Sequence, residues 1–337
     1  MPELPEVETI ARELDPLVRG ARVVGFRTDW PRAVRHPDPA TLGARIAGRT
    51  IDDVSRRAKW ILLALSGDAV LAIQVKMTGQ LFVLPADAPA DVHVHHVLPL
   101  ADGRELRIRD VRKFARLALY DRDAAGVVRG PDGTDPLDAF GPEPLADEFT
   151  LARFRALVRA RRSRLKPLLL DQGFLAGVGN IYADEALWRA RLHPLRRADA
   201  IGPAAERALH REIRAVLAEG IERRGSSIDD YTAPGGDGEM QEHLAVYQRT
   251  GQPCGRCGRP IRRSVLGIRS THFCSWCQRL PATERSSATT AILRAGRAHV
   301  ARRGPRWSEL PVGDGAVGAR PARRTRGAGP AAGEGTR

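Results

Sequence analysis

The feature that most constrains this chain is the spacing of its cysteines. All four lie in one short stretch, as Cys254-x2-Cys257 and Cys274-x2-Cys277, with sixteen residues between the pairs. Four thiolates at this spacing complete a tetrahedral Zn²⁺ and leave no open position, so the predicted site is structural rather than catalytic. Two disulfides or a redox CxxC are the alternatives. Both fit poorly, because the chain carries no secretion signal and no thioredoxin-like βαβ pattern. The intervening residues include Arg259, Arg262, Arg263, Arg269 and His272, a basic ribbon suited to phosphate contact.

Charge points the same way. The net charge is +14 and the pI near 10.7, which predicts an acidic partner, nucleic acid first and a membrane surface second. No apolar run approaches the roughly 18 residues of a membrane span, and no signal-peptide pattern is present. The expectation is a soluble, cytoplasmic, monomeric protein. Residues 281–337 are a different polymer, with eleven arginines, no lysine and four acidic residues, a net +7. Rich in Gly, Ala and Pro, they predict a disordered basic tail, within which residues 285–300 could form one helix.

The remaining residues divide by period. In residues 1–120 one helix precedes a run of strands. Residues 21–28 read as a strand, 41–48 are ambiguous, and 51–65 with 69–75 form a hairpin turned at Ser66-Gly67-Asp68. Residues 74–80 end that run in a turn, and further strands are expected at 92–100, 105–110 and 115–120. This predicts an α+β multidomain protein whose N-terminal domain is an antiparallel β-sandwich with added helices. Residues 121–149, rich in Gly, Pro and Asp, read as a linker. Residues 150–243 turn helical, with helices expected at 151–161, 165–171, 181–190 and 204–223. Gln172 to Asn180 holds three glycines, a double turn able to aim backbone N–H groups at a phosphate. Residues 225–242 read as a loop, either a connector or a mobile cover. The cysteine region spans 244–280.

The N-terminus carries the candidate chemistry. Val7, Ile10, Leu14 and Leu17 recur at helical spacing, and Pro5 suits a first turn. Removal of Met1 leaves the secondary amine of Pro2, which can attack an aldehyde-like carbon to give an iminium. Glu3 and Glu6 lie beside it as candidate acid/base groups. Taken alone, these residues read better as an ordinary helix start; the rest of the chain reverses that.

Four separated motifs then agree. Residues Pro2 to Thr9, Arg56-Arg57-Ala58-Lys59, Gly177 to Ala183 and the four-cysteine finger resemble the formamidopyrimidine-DNA glycosylase / endonuclease VIII family, in the same order from Pro2 to about Cys277. The resemblance implies a helix-two-turn-helix domain at 150–243, a zinc finger at 244–280 and a bifunctional base-excision enzyme acting on damaged double-stranded DNA. Pro2 resembles the nucleophile at C1′, Glu3 the proton donor/acceptor at the sugar, and Lys59 the lysine that approaches sugar and phosphate. Asn180 and Arg269 resemble phosphate contacts, and Lys166 a further lysine near the site. Met77, Arg112 and Phe114 match positions that fill the gap left by an extruded base. One structural Zn²⁺ is implied at Cys254, Cys257, Cys274 and Cys277.

The chain departs from the family pattern at Lys76 and across Asp110 to Ala115, both in the gap-filling loops. The long 225–242 loop, whose Ser226, Ser227 and Tyr231 offer hydroxyls to a purine-sized base, and the Met/Arg/Phe trio favour oxidised purines as substrates. An endonuclease VIII-like preference for oxidised pyrimidines is the first rival, and a noncatalytic zinc-finger DNA-binding protein the second.

Overall fold

In the computed structural model, the described residues are 2–123, 125–228 and 232–286. Tyr231 and the segment from residue 287 onward, with most of the helix expected at 285–300, lie outside them.

Helix α1 (Leu4–Val18) starts where Glu3 turns extended and Pro5 fills the first turn. Its apolar stripe of Val7, Ile10, Leu14 and Val18 is fully buried, each side chain contributing about 1.5–3 kcal/mol of transfer free energy. The stripe packs on β3 (Ile51–Arg57) and β4 (Trp60–Leu65). Leu4 belongs instead to the core of the helical half. One helix therefore reaches two cores, and its first residues lie at the seam between them.

The strands form two sheets. One has the order β1 (Arg27–Thr28), β7 (Val94–Pro99), β8 (Arg104–Asp110), β6 (Gly79–Pro85). The other runs β10 (Val128–Arg129), β9 (Arg116–Arg122), β5 (Ala69–Gln74), β4, β3, with β2 (Val34–His36) parallel to β9. The inward faces share one aliphatic cluster, which gives the expected sandwich. Three local expectations need correction. The strand expected at 21–28 is two isolated bridges and the short β1. The ambiguous stretch at 41–48 is mostly helix α2 (Pro39–Ile46), capped by Asp38. A whole strand, β6, follows the turn at 74–80, where the single Phe82 among small and aliphatic residues gave weak alternation.

The linker is not a free tether. Val128, Leu137 and Phe140 pack against Leu62, Val70 and Ala72 on the outer face of the six-stranded sheet. Then come α3 (Leu151–Arg159), α4 (Leu165–Leu170), α5 (Asn180–Arg189) and α6 (Pro203–Glu222). Thr150 caps α3 through the Arg153 N–H, as its position predicts. The hairpin β11 (Arg262–Leu266) and β12 (Arg269–Phe273) lies between the cysteine pairs, and β12 packs on α5.

Candidate active site

The glycine-rich turn before α5 is shaped by the N-terminus that lies against it. The Leu4 N–H donates to the Gly177 carbonyl at 2.9 Å. Gly177 has φ +79°, and a Cβ there would lie 2.7 Å from Leu4 Cβ. A Cβ on Gly179 would lie 2.3 Å from Glu3 Cδ. The glycines thus admit Glu3 to the start of α5, where its carboxylate accepts the N–H groups of Ile181 at 2.8 Å and Tyr182 at 3.3 Å. A helix N-terminus is a natural seat for a carboxylate.

Glu6 is fully enclosed beside it. It accepts from the Glu3 N–H at 2.8 Å, the Tyr182 hydroxyl at 2.6 Å and the Ser226 N–H at 2.8 Å. Burial, and then the charge of Glu3, push the Glu6 carboxyl above the usual range. Glu6 is thereby made readier to hold a proton.

Lys59 projects from the β3–β4 turn, directly after Ala58 at φ +52°. Glu143 of the linker holds this turn, accepting from the Ala58 N–H at 2.7 Å, Arg56 at 2.7 Å and Arg57 at 2.9 Å. Burial depresses the Lys59 ammonium below its ordinary value, and Arg269 adds to this, while Glu3 and Glu6 oppose it. Pro2, Glu3, Glu6, Lys59, Met77, Asn180 and Arg269 all line one cavity of roughly 320 Å³. The Asn180 amide oxygen is buried with no partner among the described residues.

Lys166 is placed differently from the expected DNA contact. It is fully buried, and its ammonium pairs with Asp184 and reaches the carbonyls of Asn180 and Ser270 at 3.5 Å each. The second oxygen of Asp184 accepts the His272 N–H at 2.9 Å. The Lys166–Asp184 pair therefore staples α4 and α5 to β12, and sets Asn180 against Arg269, without facing the cavity. A lysine in Leu-Lys-Pro gives no sign of burial in sequence.

The gap-filling candidates are already assembled. Arg112 lies 3.3 Å from the Met77 sulfur, and its guanidinium stacks 4.7 Å over the half-exposed Phe114 ring. Asp110 ties the two loops together, pairing with the Thr78 hydroxyl and accepting the Ala115 N–H at 2.7 Å. Of the loop hydroxyls, Ser226 lines the cavity with its oxygen unpartnered among the described residues. Ser227 instead accepts from the Gly238 N–H at 2.8 Å within the loop. Tyr247, Ile228, Ile268 and Ser270 also line the cavity and were not singled out from sequence. They lie in loops and a hairpin with no motif of their own.

The four cysteine sulfurs lie within 4.8 Å of one another, with Cys254–Cys277 at 3.9 Å and Cys257–Cys274 at 3.5 Å. Tetrahedral zinc with bonds near 2.3 Å needs sulfurs about 3.8 Å apart, so the donor set fits one structural Zn²⁺. Among the described residues, no helix is long and apolar enough to cross a membrane.

A cavity lined by Pro2, Glu3, Glu6 and Lys59 from the sandwich and by Asn180 and Arg269 from the second half is the arrangement of a DNA glycosylase. Family models match in chain order: the formamidopyrimidine-DNA glycosylase N-terminal domain at residues 1–117, its H2TH domain at 140–232, and the zinc finger found in FPG and IleRS at 251–280. The chain belongs to the formamidopyrimidine-DNA glycosylase family. It is 48% identical over 282 residues to the formamidopyrimidine-DNA glycosylase of Roseiflexus sp. (strain RS-1), covering 83% of this chain and 100% of that relative. Among solved structures it resembles a Lactococcus lactis Fpg mutant bound to Fapy-dG-containing DNA, with TM-score 0.76 and 35% identity, covering 83% of this chain and 100% of the other. It also resembles Lactococcus lactis Fpg bound to DNA with an abasic site, with TM-score 0.75, 35% identity and coverage of 82% and 100%.

Proposed function

We propose that this chain removes oxidised purines, formamidopyrimidine and 8-oxoguanine, from duplex DNA and then cleaves the strand at the abasic site. The observation that carries this reading is the convergence of Pro2, Glu3 and Lys59 on one cavity that Asn180 and Arg269 also line. With Met1 removed, the Pro2 amine attacks C1′, the glycosidic bond breaks, and the base leaves with the bonding electron pair and takes up the proton that the amine gives up. Ring opening gives an iminium on Pro2, from which the flanking phosphates are eliminated. Glu3, fixed by the α5 N-terminus, exchanges the proton at the sugar. Lys59 meets the sugar and phosphate, and Asn180 and Arg269 hold the backbone. Zinc on the four cysteines supplies folding free energy to the finger and takes no part in the reaction.

The Lactococcus lactis complexes, with Fapy-dG and abasic DNA, support the same substrate class here. We read residues 1–120 as the catalytic domain, 121–149 as a linker, 150–243 as the helix-two-turn-helix domain and 244–280 as the finger. The enzyme acts as a monomer, in the cytoplasm on the nucleoid. Reduction with borohydride during turnover should trap a DNA adduct that peptide mapping places on Pro2. An adduct on an internal lysine would refute the assignment. The half-exposed Phe114 beside Met77 and Arg112 favours purine lesions, so a panel that shows faster release of thymine glycol or dihydrouracil would move the chain to the pyrimidine-lesion branch.

A further inference from the structure

One end of the six-stranded sheet carries a row of cations. Register places Arg116 opposite Gln74, two residues before Lys76, and pairs Val34 with Leu117 beside Arg35. On the other side of β5, β4 begins one residue after Lys59. Read across the strands, the row is Arg35, Arg116, Lys76, Lys59. Neighbouring strands lie about 4.8 Å apart, so four positions span about 14 Å.

The row differs from several other basic positions on this domain. Arg19 is answered by Asp15 and Asp53, Arg27 by Glu105, Arg104 by Asp102 and Arg109 by Asp91. Lys59 still feels the carboxylates of Glu3 and Glu6. Burial lowers the Lys76 ammonium below its ordinary value, and the charges of Arg116, Lys59 and Arg35 add to this. Among the described residues, no carboxylate oxygen lies within the 4.0 Å ion-pair distance of Arg35, Lys76 or Arg116. Arg35 and Arg116 are exposed and Lys76 is half-buried. Cations packed side by side without counter-charges call for an anion from outside. Lys76 also takes a left-handed backbone, φ +56°, directly before Met77.

We propose that Arg35, Arg116 and Lys76 form a further phosphate-binding subsite, which carries the DNA backbone away from the lesion along the sheet end. The ligand class is a phosphodiester chain, because the positions follow one another across the sheet end and are continuous with Lys59 and Met77. The subsite reads no sequence; it adds affinity and fixes the backbone beside the cavity. It rests on the reading that Lys59 and Met77 meet the lesion.

The test uses the full chain, zinc-loaded, and a duplex with a tetrahydrofuran abasic analogue followed by fluorescence anisotropy across salt concentrations. The Arg35→Gln/Arg116→Gln double variant should lower the slope of log affinity against log salt by roughly 1.8, at about 0.9 per lost contact. Lys76→Gln should lower it by roughly 0.9. Because Lys76→Gln could disturb Met77, the double variant decides. An unchanged slope in a double variant with normal Tm and zinc content would overturn the subsite. Lys59→Ala separates the two claims. If it abolishes cleavage while the double variant keeps the wild-type slope, only the subsite fails. If Lys59→Ala still excises at the wild-type rate, the reading of the cavity fails and the subsite with it.

Discussion

The Glu3 carboxylate accepts the Ile181 N–H at 2.8 Å, across 178 residues of sequence. This bond puts the candidate proton-transfer group on the first turn of α5, one residue from Asn180. Sugar chemistry and phosphate binding are thereby built on one helix N-terminus. The pairing exists only because Gly179 leaves room for it.

Gly179→Ala should therefore act as an active-site variant. Its Cβ would lie 2.5 Å from Glu3 Oε1, so Glu3 must swing away from α5. A displacement near 1 Å costs on the order of 100-fold in rate. Single-turnover excision and abasic-site cleavage should both fall by about that factor, with zinc content unchanged. A full-rate Gly179→Ala enzyme would show that the Glu3–α5 bond is dispensable.

Lys166→Met should be a stability variant first. It leaves the Asp184 carboxylate buried without its cation, which costs roughly 3–5 kcal/mol. Denaturant unfolding should show that loss, and affinity for lesion and abasic duplexes should fall in parallel as Asn180 and Arg269 lose their fixed separation. Weakened binding at wild-type stability would mean that Lys166 touches DNA directly.

Acid should destabilise the fold through two buried histidines. Burial holds His96 and His193 down to about 4, below the ordinary 6.5. Each is neutral when folded and free to protonate when unfolded. Their contribution is present above pH 6.5 and is lost as pH falls toward 4, by about 3 kcal/mol each if fully expressed. His193→Gln should flatten the acid limb of a stability-versus-pH curve; an unchanged limb would assign the acid loss elsewhere.

Zinc removal should uncouple the finger from the sandwich. Structural zinc contributes on the order of 10 kcal/mol in small finger peptides. Cys274→Ser should abolish tight DNA binding, because β12 carries Arg269 and the Asp184 contact at His272. The near-native β signal of the N-terminal half should persist. Loss of both together would mean that the two halves fold as one unit.

Shortening the 225–242 loop should separate base recognition from strand cleavage. Ser226 lines the cavity and its N–H holds Glu6, so the cut should fall between residues 232 and 238. Purine-lesion excision should drop while cleavage of preformed abasic sites stays nearly intact, since that reaction has no base to hold. Equal loss on both substrates would give the loop a role in the fold or the DNA path.

Much of this protein could be read in local chemistry. The cysteine spacing specifies its metal, the helical period after Thr150 marks the second half, and the terminal Pro2-Glu3 suggests the nucleophile. Each is a property of neighbours in sequence, where a few residues suffice to define a ligand set or an amphipathic face. Long-range partners were not legible. Glu143 sits in a Gly/Pro/Asp stretch that reads as linker, yet it clamps the Lys59 turn through its contact with Ala58, 85 positions away. Lys166 looks like any surface lysine until α4, α5 and β12 enclose it with Asp184. The cation row exists only through strand order, because β2 pairs with β9 and β9 with β5. Sequence alone determined which chemical groups this protein has. Tertiary structure decided which of them meet, because burial and strand pairing turn distant residues into contacts that no local period encodes.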